Sequence, residues 1–171
     1  MLIMEILKVT KSDIKKMEEE IEYRRLEERP KILEAVKEAR AQGDLSENFE
    51  YYVAKRDRNQ NDSRIRYLEG LIKNAVIIDD SSKEDEVGIN NTVELYFEED
   101  DEVETYRIVT PIRSDAFNNL VSIESPLGMA LLGKKEGDRV FIQPEKGEGY
   151  YVVIKKLIKT NDDSQDKIRS F

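Results

Sequence analysis

The chain contains no cysteine, no histidine and no tryptophan. Without Cys there is no disulfide and no thiolate nucleophile, and without His there is no Ser-His-Asp triad. An ordinary zinc site is excluded too, because its ligands come mainly from those two residues. Carboxylates, Lys, Ser, Thr and Tyr are left to do chemistry. A hard cation held by carboxylate oxygens is the one metal site still open. A chain without Cys is compatible with a reducing compartment. Long apolar runs are also missing. Met1 to Leu7 is apolar in flavour, but it carries Glu5, is far too short to span a bilayer, and lacks the basic start and cleavage site of a signal peptide. The expectation is a soluble cytoplasmic protein with no membrane partner. Glycine and proline are scarce, at 8 and 4 of 171 residues, and between residues 11 and 75 they are nearly absent.

Charge is what the chain has in abundance. Charged residues make up 38% and hydrophobic residues 39%, which suits a large exposed helical surface better than a compact enzyme. The net charge of −9 is unevenly placed. Residues 1–75 carry 16 basic and 16 acidic side chains, whereas residues 76–171 carry 12 basic and 21 acidic. Such a protein has no footprint for duplex nucleic acid on its own, and a partner protein that already holds the nucleic acid is the better expectation.

Two patterns divide the chain near Ala75. Residues 11–75 read as helix. Thr10 or Ser12 can cap its start, and Thr10 with Asp13 approximates a capping box. Ile14, Met17 and Ile21 follow heptad-like spacing, and Leu33, Val36 and Ala39 resume it beyond Pro30, which is expected to kink the helix or start a new one. The pattern stops at Gly43 and restarts near Asp44 or Ser46, both good N-caps. Ala54, Ile65, Leu68 and Ile72 then share one face. So short a break predicts an antiparallel hairpin, an arm of roughly 40 Å at about 1.5 Å per residue. Its end would be residues 43–48.

Residues 76–158 alternate with a period of two. Val76–Ile78, Thr92–Phe97, Thr105–Val109, Leu120–Ile123, Arg139–Ile142 and Tyr150–Ile154 read as strands, Glu98–Glu102 and Glu145–Gly149 as turns, and Met129–Leu132 as one helical turn. The fold class is therefore α+β: a helical coiled-coil hairpin over 1–75, a small antiparallel-sheet domain over 76–158, and a polar, flexible tail over 159–171.

The stretch Ala39-Arg40-Ala41-Gln42-Gly43-Asp44-Leu45-Ser46-Glu47-Asn48-Phe49-Glu50-Tyr51 resembles the tip signature of the bacterial GreA/GreB transcript cleavage factors. A second stretch, Ser125-Pro126-Leu127-Gly128-Met129-Ala130-Leu131-Leu132-Gly133-Lys134-Lys135-Glu136-Gly137-Asp138, resembles that family's C-terminal signature. Glu28-Arg29-Pro30, Ala75 to Asp79 and Tyr106 to Val109 agree as well, so the resemblance spans residues 8 to 158. It departs at Phe49, where a small residue is usual, and at Tyr52 and Val53. The basic run at Lys55 leans toward GreB and Gly43 to Ser46 toward GreA, which leaves the subtype and the length of RNA released open.

The resemblance implies an FKBP-like second domain that docks at the rim of the RNA polymerase secondary channel, through the region of Ser125, Pro126, Gly128 and Gly133. It implies that the hairpin enters the channel as a monomer. Asp44 and Glu47 would then help hold an Mg²⁺ shared with the polymerase active site, which the isolated protein does not bind, while the polymerase cuts its backtracked RNA. The protein would be an accessory and not an enzyme. Asp44 and Glu47 are also spaced as a capping box, the commoner reading of that spacing taken alone; the resemblance reverses the order, and both can hold. Gly43, Ser46, Asn48 and Tyr51 are tip-shaping residues, and Glu50 an exposed helix acid. Lys55, Arg56, Arg58 and Arg66, with Arg64 between them and Arg40 beside the tip, could face RNA phosphates or form a solvated helix face. Two other readings are weighed beside cleavage: a channel-binding regulator of the same fold without cleavage, and a plain helical interaction module.

Overall fold

The computed structural model describes residues 6–43 and 48–170. The chain divides into two compact units, one built on Asp13–Ala75, the other on Lys8–Ser12 together with Val76 onward. Lys8–Ser12, assigned from the sequence to the hairpin, thus goes with the second unit. The short strand β1 (Leu7–Val9) is also new, and it pairs with β2 (Ala75–Ile77). Three residues carry too little pattern to declare a strand, and their conformation depends on a partner more than sixty residues away.

The first unit is helical. Helix α1 (Lys11–Tyr23) runs into a π-helical turn, Arg24–Glu28, and then into α2 (Arg29–Ala41). Helix α3 (Phe49–Lys73) returns alongside. The cross-bonds Glu20 with Arg64, Arg24 with Asn61 and Ala39 with Asn48 run down toward the start of α3 as they climb the facing helices, which makes the pair antiparallel, and Arg29 with Asp62 adds a further tie. Pro30, at the second position of α2, neither stops the helix nor starts a separate one after a gap. Its ring would meet the carbonyl four residues back, and the chain absorbs this as a π turn in which the Arg29 N–H reaches the Arg24 carbonyl five residues back. Asn61, almost fully buried on α3, serves that irregular turn from across the seam: its amide donates to the Arg24 carbonyl at 3.1 Å and accepts from the Arg24 guanidinium at 3.0 Å.

Met17, Ile21, Val36, Ala39, Ala54, Ile65 and Leu68 are buried, as their helical spacing requires. Ile14, Leu33 and Ile72 are not; Leu33 remains 38% exposed. Arg64 is the larger departure. It is 6% exposed, and its guanidinium donates to Glu20 at 2.9 and 3.3 Å and lies over the Tyr67 ring at 5.5 Å. Burial alone would raise the Glu20 carboxyl; hydrogen bonds from Arg64 and Arg24 outweigh it and hold the group below the ordinary glutamate range. Arg64 is therefore an internal tie of the hairpin and not part of an outward basic face. Leu68, fully buried, gives the direct check on the seam. Leu68→Ala should destabilise the chain by about 3 kcal/mol, the usual cost of a core cavity of that size. An unchanged melting temperature would remove Leu68 from the core.

The second unit is a five-stranded sheet in the order β5-β4-β3-β7-β6, with β3 Thr92–Phe97, β4 Glu102–Val109, β5 Leu120–Ser122, β6 Arg139–Ile142 and β7 Tyr150–Ile158. Its pairings are antiparallel except β4 with β5. Alternate residues Val93 and Leu95, Val140 and Ile142, Val152 and Ile154 point into one core with Val87, Ile108 and Leu131. The short α4 begins earlier than its apolar residues announce, at Pro126, because Ser125 caps it and Pro suits the first turn.

The tail is the clearest correction. Residues 159–170 do not fray. The Thr160 hydroxyl donates to the Asn90 carbonyl at 2.7 Å, the Arg169 N–H to the Ile112 carbonyl at 2.9 Å, and Asp166 pairs with both Arg107 and Arg113. Polar composition suggested solvent, but the tail's carboxylate is what a buried arginine needs.

Candidate functional site

Asp44, Ser46 and Glu47 lie outside the described residues. The residues on either side of them are described. Helix α2 ends at Ala41, and Gly43 follows with φ +110, a left-handed backbone that glycine adopts without strain and that commonly terminates helices. On the other side Asn48 caps α3: its side-chain oxygen accepts from the Tyr51 N–H at 3.0 Å. The Asn48 amide nitrogen also donates to the Ala39 carbonyl at 2.6 Å. One side chain thus satisfies a free donor of α3 and adds a second bond to an α2 carbonyl that also accepts from the Gln42 N–H at 3.3 Å, and so ties the two helix ends together. The sequence pattern puts the helix restart near Asp44 or Ser46, whereas α3 begins at Phe49 with Asn48 as its cap, and the second bond leaves no sign in the sequence, since Ala39 contributes only its backbone.

Of the expected basic residues, the structure gathers three about one tyrosine. Hydrogen bonding from Arg40 holds the Tyr51 phenol below the usual tyrosine range, against a smaller upward push from burial, and the charges of Lys55 and Arg58 act in the same direction as Arg40. The Arg40 guanidinium lies 5.7 Å from the Tyr51 ring centre. Tyr51 is therefore more than a shaping residue: it joins α2 to α3 one turn below Asn48. Lys55 and Arg66 are exposed and eleven residues apart, so at about 100° per residue they nearly align along α3. Arg58 turns toward the seam and is half-buried. Arg56 points away from it and leans toward Asp57 at 3.7 Å, while Arg66 donates to Ser63 at 3.1 Å.

Two side chains beside this cluster stand out more in the structure than in the sequence. Phe49 is 78% exposed and Tyr52 is 52% exposed. They occupy the first turn of α3, three residues apart, and the Tyr52 ring meets Tyr51 edge-on at 5.7 Å. The available signal was phase: neither falls on the Ala54, Ile65 and Leu68 face, so neither could be core.

The residues expected to dock a partner build a turn of the second unit. The Ser125 hydroxyl accepts from the Gly128 N–H at 3.0 Å and donates to the Ser122 carbonyl at 2.6 Å. A Cβ on Gly128 would stand 1.9 Å from that carbonyl oxygen, so the close approach requires glycine. Pro126 opens α4, and the Gly133 N–H reaches the Val87 carbonyl at 2.9 Å. These four residues shape the backbone, and Met129 among them is the side chain left outward, 61% exposed.

Comparison with known proteins adds to this geometry. Residues 7–77 match the family model described as transcription elongation factor, N-terminal, of GreA and GreB, and residues 82–157 match transcription elongation factor, GreA/GreB, C-term. Transcription elongation factor GreA of Thermoanaerobacter pseudethanolicus is 45% identical over 140 residues, covering 81% of this chain and 89% of its own. The GreA of Brucella anthropi is 40% identical over 152 residues, covering 88% of this chain and 97% of its own. Among solved structures, the GreA factor homolog 1 (Gfh1) protein of Thermus thermophilus is 24% identical with a TM-score of 0.42, covering 90% of this chain and 99% of its own.

Proposed function

The chain belongs to the GreA/GreB family of transcription elongation factors, and we propose that it enters the secondary channel of RNA polymerase and stimulates the polymerase to hydrolyse its own backtracked RNA. The observation that carries this reading is connectivity. Helices α2 and α3 run antiparallel, and the short segment joining them, residues 42–48, is the one that holds Asp44 and Glu47. A pair of helices, each about 10–12 Å across with its side chains, can carry carboxylates along a passage that admits no globular domain.

The donor set suits Mg²⁺, which commonly takes one or two protein carboxylates and leaves its other positions to water and phosphate. When bound between the polymerase and these residues, Mg²⁺ supplies charge stabilisation at the oxygens that attack and leave phosphorus. Asp44 and Glu47 would complete that site and orient it, and two carboxylates alone hold the ion too weakly to form it in free solution. Asn48 and the Arg40–Tyr51 pair support this role by fixing the two helix ends that the acidic segment joins. Lys55 and Arg66 offer cations to the phosphates of the extruded RNA 3′ end. The sheet domain, through the turn built by Ser125 and Gly128, docks at the channel rim. The protein acts as a monomeric cytoplasmic accessory, and the bond is cut by the polymerase.

The test is direct. Purified polymerase stalled on a backtracked transcript should, on addition of this protein with Mg²⁺, release short RNA 3′ fragments and resume elongation. Slowed elongation with no shortening of the RNA would replace the reading with that of a channel-binding regulator.

A further inference from the structure

Phe49 and Tyr52 are unexplained by anything above. Two large rings exposed at the start of one helix carry a cost, since apolar surface of this kind is normally withdrawn from water unless it is used. Their phase on α3 is informative. Phe49, Tyr52 and Arg56 sit three and four residues apart, within about 60° of one another, on the side of the helix away from Ala54, Ile65 and Leu68. Lys55 borders the same strip, exposed. Arg56 approaches Asp57 at 3.7 Å, but that pair is exposed on both sides and too weak to withhold the guanidinium from a phosphate. Glu50 is the opposing charge on the same turn, and it lies between the two rings in sequence.

We propose that Phe49 and Tyr52 form a stacking platform for an unpaired nucleobase, with Lys55 and Arg56 answering the phosphates that flank it. Exposed rings with cations directly beside them along one strip are an arrangement by which proteins hold single-stranded nucleic acid: the rings take base faces and the cations follow the backbone. Charge complementarity selects this occupant over an apolar protein surface, which would gain nothing from cations at the edge of the patch. The choice of RNA as the strand rests on the function proposed above. The platform itself does not, because it is a property of the free protein.

The experiment uses the full chain without polymerase. A ten-nucleotide single-stranded RNA with one fluorescent adenine analogue is titrated at low salt, alongside the same strand made abasic at that position. Binding should quench the analogue, and the abasic strand should bind more weakly. Phe49→Ala and Tyr52→Ala should each weaken binding about 10-fold and relieve the quench, as for removal of a stacked ring elsewhere. Lys55→Ala and Arg56→Ala should lower the salt dependence by roughly 0.7 for each phosphate no longer neutralised, while leaving the quench of the bound strand in place. Both rings are exposed, so the alanine variants should melt as the parent does. Equal binding of intact and abasic strands, or ring variants that bind RNA unchanged, would overturn the proposal. Ring variants that lose affinity for polymerase yet keep RNA binding would overturn it in favour of a protein contact. Cleavage activity is not read in this experiment, so its failure would leave the proposed function standing.

Discussion

Asp44→Asn is expected to lower polymerase-dependent RNA cleavage by about 100-fold or more, with no loss of affinity for the polymerase. Asparagine keeps the shape of the side chain and is as good a helix cap as aspartate, so any capping role of position 44 is retained. What disappears is the negative charge, and with it most of the attraction for a divalent cation. Removal of one preorganised electrostatic partner from a reacting centre typically costs 100-fold to 1,000-fold in rate. Because the missing ligand weakens ion binding, raising Mg²⁺ should recover part of the rate. A misplaced tip would not respond to the ion in that way. Glu47→Gln should follow the same pattern. Docking is assigned to the sheet domain, so a pull-down or competition assay should find the variant bound as tightly as the parent. Full cleavage activity in Asp44→Asn would dismiss the carboxylate as a ligand and leave it a cap.

Much of this architecture could be read from residue order, and the failures share a cause. Periodicity located the buried faces: Met17 and Ile21, then Ala54, Ile65 and Leu68 on the hairpin, and Val93, Leu95, Val140 and Ile142 on the sheet. Each of those signals is local, since a helix or strand repeats its own phase. What stayed hidden depends on a distant partner. Arg64 groups with the outward basic run in the sequence, and nothing there singles out Glu20 or Asn61, but each is satisfied from the facing helix across the seam. Glu102 closes the stretch Glu98–Glu102 that reads as a turn, and the sequence pattern starts the strand only at Thr105, yet Glu102, Val103 and Glu104 already pair with Phe97 back to Leu95. At the candidate site Asn48 was legible as a shaping residue, but its place as the cap of α3 was not, since Asp44 and Ser46 are equally good caps, and nor was its bond to the Ala39 carbonyl, since a backbone acceptor leaves no mark in the sequence. The exposure of Phe49 followed from its phase; what the ring is for did not.

The tail concentrates that lesson and yields the largest expected change in stability. Arg113 has no exposed surface, and its guanidinium donates to Asn90 at 2.7 Å, to Thr110 at 3.2 Å and to the Asp166 carboxylate at 2.7 Å. Asp166 also pairs with Arg107, whose second nitrogen donates to the Asp162 carbonyl at 2.8 Å. The family match ends at residue 157, so this carboxylate comes from a segment outside it. An arginine cannot shed its proton, and burial without a counter-charge is costly. Asp166→Ala removes the partner and keeps the charge, and should destabilise the sheet domain by about 4 kcal/mol, within the usual range for a broken buried pair. For a domain of this size that is a fall of more than about 10 °C in the melting temperature of the full chain. Ending the chain at Lys159 should do the same. If the penalty is the orphaned charge and not lost packing, Arg113→Met combined with Asp166→Leu should recover most of it, because a buried ion pair is commonly replaceable by apolar residues of similar volume. A melting temperature lowered by less than about 2 °C in Asp166→Ala would mean that water or another carboxylate takes over the arginine, and that the tail is an accessory to the domain and not one of its walls.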